Sequence, residues 1–189
     1  MIVDLKGRRA RLLGETNPVS TALWKALMAN GAVLAAGDDA DLGVVSLPLL
    51  PVADISIDPL LDEMHRWADA MATLGGGRML LLVSALAVMP MRRHPVFSRR
   101  IAGAIPAVRS LAMRHGETVA VNALALGAIG QPEVAGDAAM LSHVPVGRPG
   151  SVDDAVGAAL YLLDPSNSYT TGQVLVVDGG WSVGYGRSF

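Results

Sequence analysis

Apolar positions along the chain follow two alternating rhythms. Short, largely apolar runs at residues 10–13, 32–36, 42–47, 79–84, 119–124 and 174–178 predict strands. Between them, Leu60, Met64, Trp67 and Met71 recur every three or four residues, as do Phe97, Ile101, Ile105, Val108 and Ala112. Each set makes one apolar stripe along a helix, over 58–74 and 94–115 respectively. Asn30-Gly31 fits the stop of a first helix, and Ser151 followed by Asp154 fits the start of a last one over Val156, Leu160 and Leu163. Pro106 lies inside the second stripe, where a missing N–H and a ring clash should kink or divide the helix. Strands alternating with helices predict an α/β fold, a parallel sheet covered by helices. Pro and Gly punctuate the apolar segments without forming a linker, and no repeat is visible, so residues 1–189 read as a single domain.

Composition narrows the function classes. A net charge of −2 gives no overall attraction to nucleic acid or to anionic membranes. The longest apolar run, 79–91, is broken by Ser84 and Pro90 and is too short to span a bilayer. The absence of cysteine removes disulfides, zinc-thiolate sites and a thiol nucleophile, and with no apolar leader after Met1 a cytoplasmic protein is expected. Only 17% of residues are charged against 51% hydrophobic, which favours an oligomer that hides apolar surface.

Residues 146–180 contain a turn, a helical segment, then Thr171-Gly172 and Val177-Asp178-Gly179-Gly180. This order resembles the C-terminal signature of the short-chain dehydrogenase/reductase family. Leu5-Lys6-Gly7, the strand from Gly77 to Ser84, and Val121-Asn122-Ala123 with Gly127 extend the resemblance over nearly the whole chain. It implies a Rossmann-like, doubly wound parallel sheet of about six strands.

The departures from the family pattern concentrate on one ligand. The family's Gly-x-x-x-Gly-x-Gly turn lets backbone approach the cofactor pyrophosphate at a helix N-terminus. Here only Gly14 remains; Pro18 and Ser20 replace the other two glycines, and Glu15 adds a carboxylate. The resemblance places the catalytic serine at Ser84, the tyrosine at Phe97, the lysine at Ile101 and the upstream asparagine at Ser56. Phe97 has no ionisable group and Ile101 can neither tune a phenol nor hold a ribose, so general acid–base catalysis is lost there. Between the second and third strands only residues 37–41 remain where the family inserts a strand–helix unit walling the adenosine pocket. Arg9 and Arg11 replace buried apolar positions of the first strand, so one of its faces must meet water or acidic groups.

These losses lead to the expectation of a pseudoenzyme: no catalytic residues, no metal and no cofactor bound by this chain. NAD(P) is then expected in an active paralogue that partners it in a hetero-oligomeric hydroxyacyl/alcohol dehydrogenase or ketoreductase of two or four chains. The tail is rich in aromatic residues, which are enriched at interfaces, and the resemblance implies that it reaches a neighbouring subunit, so Trp181, Tyr185, Arg187 and Phe189 are candidates for the partner interface. Arg92, Arg93, Arg99 and Arg100 could clamp an anionic ligand or form a solvated helix start. His94 and His143 lack a carboxylate or metal-ligand neighbour at recognisable spacing. Two alternatives stay open: a stand-alone ligand-binding protein using an apolar cleft between Ser84, Phe97 and Leu126, and an oxidoreductase with atypical residues.

Overall fold

In the computed structural model, residues 2–130 and 142–183 are described. All six expected strands form: β1 (Arg9–Gly14), β2 (Val33–Leu34), β3 (Leu42–Ser46), β4 (Gly77–Ser84), β5 (Val119–Leu126) and β6 (Val174–Val177). They make one sheet in the order β2-β1-β3-β4-β5-β6, parallel throughout. Strand β4 shows why the central runs are continuously apolar. Met79, Leu81 and Val83 face one core, while Leu80 and Leu82 face the other. The helices α2 (Asp58–Thr73), α3 (Pro95–Ala102) and α4 (Ala104–His115) supply the first core, and α1 (Pro18–Ala29) and α5 (Val152–Leu163) the second. Among the described residues no helix is long and apolar enough to cross a membrane.

Two boundaries differ from those read in the sequence. Strand β2 shrinks from 32–36 to two residues, with Leu34 70% exposed, because it is an edge strand with nothing paired outside it. The helix expected over 94–115 divides at Gly103, one turn before Pro106. Proline cannot donate to the carbonyl four residues back, so Pro106 is tolerated in the first turn of α4, where that donor would be unpaired anyway.

The shortened connection explains the arginines of β1. Both β2 and β3 pair with β1 at Ala10, from opposite sides, so the chain crosses β1 between residues 34 and 42. That crossing carries Asp38, Asp39 and Asp41. Arg9 Nη1 lies 2.9 Å from Asp39 and its Nη2 3.0 Å from Asp41, while the Arg9 backbone N–H also donates to Asp41. Arg11 pairs with Asp38 and with Glu63 of α2, and its guanidinium stands 5.3 Å from the centre of the Trp67 ring. Trp67 can pack closely on β3 because Gly43 has no side chain; a Cβ there would sit 3.0 Å from the indole. The acidic crossing thus covers with charge the face that a helix would cover with hydrocarbon.

This network sets an acid limit on stability. The hydrogen bond from Arg9 holds the Asp41 carboxyl below its ordinary value of 3.8. A carboxylate whose pKa is depressed on folding adds stability that is fully present above the unfolded pKa and is lost as pH falls through the folded one. Urea unfolding midpoints should therefore drop as pH falls below about 4. Asp41→Asn should remove part of that slope; an unchanged slope in the variant would exclude Asp41 as its source.

Candidate functional site

The C-terminal ends of the strands, where open α/β sheets hold their ligands, carry Gly14, Ser46, Ser84 and Leu126. Gly14 turns with φ +91°, and a Cβ on it would sit 2.1 Å from the carbonyl oxygen of Ser46. The same oxygen accepts the Glu15 N–H at 2.8 Å. The surviving glycine is therefore required by the close passage of β1 and β3.

The N-terminus of α1 is occupied by its own side chains. Asn17 Oδ1 accepts the Ser20 N–H at 2.9 Å, Ser20 Oγ accepts the Asn17 N–H at 2.9 Å, and the Thr21 N–H goes to the Asn17 carbonyl. Pro18, at the first helical position, has no N–H at all. Asn17 Nδ2 donates to the buried Ser46 Oγ at 3.0 Å, which ties this cap to the end of β3. Helix N-termini bind phosphate through free N–H groups, and here those of Asn17 and Ser20 are taken by side chains and Pro18 has none, which leaves that of Val19. Glu15 beside them is exposed, yet desolvation raises its carboxyl above the ordinary glutamate value. The sequence reading took Pro18 and Ser20 only as lost glycines and missed Asn17. The signal was present, since Asn-Pro-x-Ser is a readable helix start.

Of the four positions matched to catalytic residues, two are serines and two are buried hydrocarbon. Ser84 is buried at the end of β4, and its Oγ accepts the Leu86 N–H at 3.4 Å as the cap of a short 3-10 turn. Phe97 and Ile101, 3% and 0% exposed, point into the first core with Val108 and Leu111. Ser56 is exposed just ahead of α2.

An apolar cleft of about 220 Å³ opens at this end of the sheet. Its walls include Leu49, Leu50, Leu86, Met91, Leu126 and Trp181, with Ser84 and His94 among them. The expected wall at Phe97 is therefore corrected: Phe97 is turned into the core, and Met91 and His94 stand on the cleft instead. Trp181 lies on the cleft of its own chain, packed against the first core. The other candidates of the tail, Tyr185, Arg187 and Phe189, lie outside the described residues.

Two charged groups on the cleft, Asp178 and Arg148, are committed to holding the frame. Asp178 accepts the N–H groups of Gly180 at 2.9 Å and Ser182 at 2.8 Å, and Gly127 allows it to pass, since a Cβ there would be 2.7 Å from the Asp178 Cβ. Arg148 Nη1 lies 2.8 Å from Asp154, which also accepts the Ser151 N–H at 2.8 Å in the capping box of α5. The Arg148 hydrogen bond, then those of Ser151, hold the Asp154 carboxyl well below the usual carboxylate range. Asn122, buried in β5, donates to the Thr170 carbonyl at 2.9 Å and accepts the Gln173 N–H at 3.0 Å, so it clips the loop before β6.

The four arginines expected to act together divide. Arg92 and Arg99 line a second hollow beside the cleft, whereas Arg100 Nη1 donates to the Ile55 carbonyl at 2.7 Å and Arg93 lines neither. Among the described residues there is no group of three or more His, Cys, Asp or Glu able to hold a metal ion.

Comparison with known proteins adds the following. The family described as enoyl-(acyl carrier protein) reductase matches residues 49–182. The 7alpha-hydroxysteroid dehydrogenase of Escherichia coli (strain K12) is 34% identical over 122 residues, covering 60% of this chain and 47% of that protein. The galactitol 2-dehydrogenase (L-tagatose-forming) of Cereibacter sphaeroides is 31% identical over 146 residues, covering 70% and 56%. These matches thus span about half the length of the curated relatives. Among solved structures, a proposed NAD(P)-dependent gluconate 5-dehydrogenase of Beutenbergia cavernae, with NADP bound at low occupancy, superposes with a TM-score of 0.79 at 23% identity, covering 96% of this chain and 99% of that one. A short-chain dehydrogenase/reductase of Brucella melitensis gives 0.76 at 15% identity, covering 96% and 99%. At these identities the structural likeness speaks for the fold, a Rossmann-like parallel sheet.

Proposed function

Because this chain belongs to the short-chain dehydrogenase/reductase family, whose named relatives above are dehydrogenases, we propose that it is a subunit without chemistry of its own. On this reading it assembles with an active paralogue into an NAD(P)-dependent dehydrogenase or ketoreductase acting on hydroxyacyl or alcohol substrates. The observation that carries the reading is the end of α1: the N–H groups of Asn17 and Ser20 are taken by each other's side chains, and Pro18 has none to give. Two further features support it. A proton-transfer group is absent from positions 97 and 101, both of which face the core, and the connection over residues 35–41 leaves no strand–helix unit beside β2. Nicotinamide and proton transfer are then supplied by the partner, and this chain contributes a framework and a cleft.

A second reading, a ligand-binding protein that acts alone, is favoured by the apolar cleft itself, since concave apolar sites with few polar groups are the usual form of small-molecule sites. The two readings separate on association. The chain, purified alone and with an intact relative encoded beside it, is expected to bind neither NADH nor NADPH alone, and to form a stoichiometric complex required for the relative's turnover. Saturable nicotinamide binding with turnover by the isolated chain would sink the pseudoenzyme reading. A relative fully active without it would leave the ligand-binding reading in place.

A further inference from the structure

We propose that the cleft at the strand ends and the hollow beside it form one site for an amphiphilic anion, an apolar body carrying a carboxylate or phosphate. The two depressions share a wall, Leu86 and Met91. In the cleft, Asp178 and Arg148 are already hydrogen-bonded within the chain and Ser84 Oγ accepts one N–H; besides Ser84 and His94, the side chains left to a ligand are chiefly hydrocarbon. Across the shared wall the hollow measures about 470 Å³, and its lining contains no acidic residue. The charged side chains on it are Arg92 and Arg99, both exposed.

Neither arginine has a hydrogen-bond or ion-pair partner among the described residues, in contrast to Arg9, Arg11 and Arg148, each held by carboxylates. Helix α3 lines the hollow along its length, through Pro95, Ser98, Arg99 and Ala102. Guanidinium groups recognise carboxylate and phosphate through paired N–H donors. An apolar body seated between Leu126 and Trp181 would place its charged end across Met91, on Arg92 and Arg99. The proposal rests on the reading that no nicotinamide fills this cleft.

Trp181 reports on the cleft directly. Titrating the isolated chain with decanoate, decyl phosphate and 1-decanol, with tryptophan fluorescence as the readout and Trp181→Phe as the control, should show saturable binding of both anions. 1-Decanol should bind about tenfold more weakly, the loss expected for one to two charge-assisted hydrogen bonds at an exposed site. The double variant Arg92→Gln/Arg99→Gln changes exposed side chains only; it should keep the thermal transition and bring the anions down to the affinity of the alcohol. Equal binding of alcohol and anions, or anion binding unaltered in the double variant, would overturn the proposal. NADH saturating the same Trp181 signal would instead overturn the reading that the cleft is free of nicotinamide, so the two failures are distinguishable.

Discussion

Ile101→Lys, the substitution that restores the residue type the family carries at this position, should destabilise the protein by about 4 kcal/mol or more at pH 7 and yield no turnover. Ile101 is fully buried in α3, packed in a cluster with Phe97, Val108 and Leu111. No carboxylate is hydrogen-bonded to α3 among the described residues; the fixed polar contacts of its side chains are Arg100 to the Ile55 carbonyl and Ser98 to the Met91 N–H. A lysine in such a place has its pKa lowered by up to about 3–5 units, and each unit corresponds to about 1.4 kcal/mol. The sign follows from linkage. With the folded pKa depressed, the unfolded chain binds more protons between that value and about 10.4, so the variant's stability should rise with pH over this window. Ile101→Met, which conserves volume and apolarity, should cost less than about 1.5 kcal/mol. Guanidinium chloride unfolding at pH 7 and pH 9 measures all three. Adding Phe97→Tyr should not produce alcohol oxidation with NAD or NADP, since the end of α1 is unchanged by either substitution. A double variant as stable as the parent and competent in hydride transfer would mean that this position opens to a cofactor and that the assignment of its surroundings to the core is wrong.

The parts of this fold that were readable in the sequence are those whose signal is local. Six apolar runs became six strands, the two stripes became helices facing the first core, and the caps at Asn30-Gly31 and Ser151–Asp154 stand as read, because each depends on residues within a few positions of one another. Pro106 marked the division of the long helix, but the break lies at Gly103 because proline acts on the turn before it. The site was less readable because its decisive contacts are long-range. Arg9 and Arg11 announced a charged face, yet nothing periodic indicates that residues 38–41 cross β1 to meet them. Asn17 bonded to Ser46, 29 residues away, has no local signature beyond its role as a cap. Phe97 was expected on the cleft because a family register was carried over to it. Once the polar groups of a tyrosine and a lysine are gone, the apolar stripe of α3 decides the outcome, and burial of Phe97 and Ile101 turns that face inward.

Gly14→Ala should be the most damaging small substitution at the strand ends, lowering stability by at least about 3 kcal/mol. Two effects add: a non-glycine residue at φ +91° is strained by roughly 1–2 kcal/mol, and its Cβ would stand 2.1 Å from the Ser46 carbonyl oxygen, backbone that cannot rotate away. Because that oxygen also accepts the Glu15 N–H, relieving the clash would loosen the junction of β1 and β3. Gly147→Ala provides the control, with φ +74° but nothing within 4 Å of the new methyl group. It carries the strain without the clash, so the difference between the two variants isolates the contact with Ser46. Ser20→Ala, which removes one hydroxyl of the α1 cap, should cost only about 1 kcal/mol. The comparison bears on function as well as on stability. In a dinucleotide site the first glycine serves the tight turn and the second the approach of the phosphate, so a cofactor role for Gly14 would be felt in nicotinamide affinity over and above the turn. In this chain the same glycine is accounted for by the sheet. Equal destabilisation by Gly14→Ala and Gly147→Ala, together with loss of nicotinamide binding in the former alone, would return Gly14 to a cofactor role and undo the pseudoenzyme reading with it.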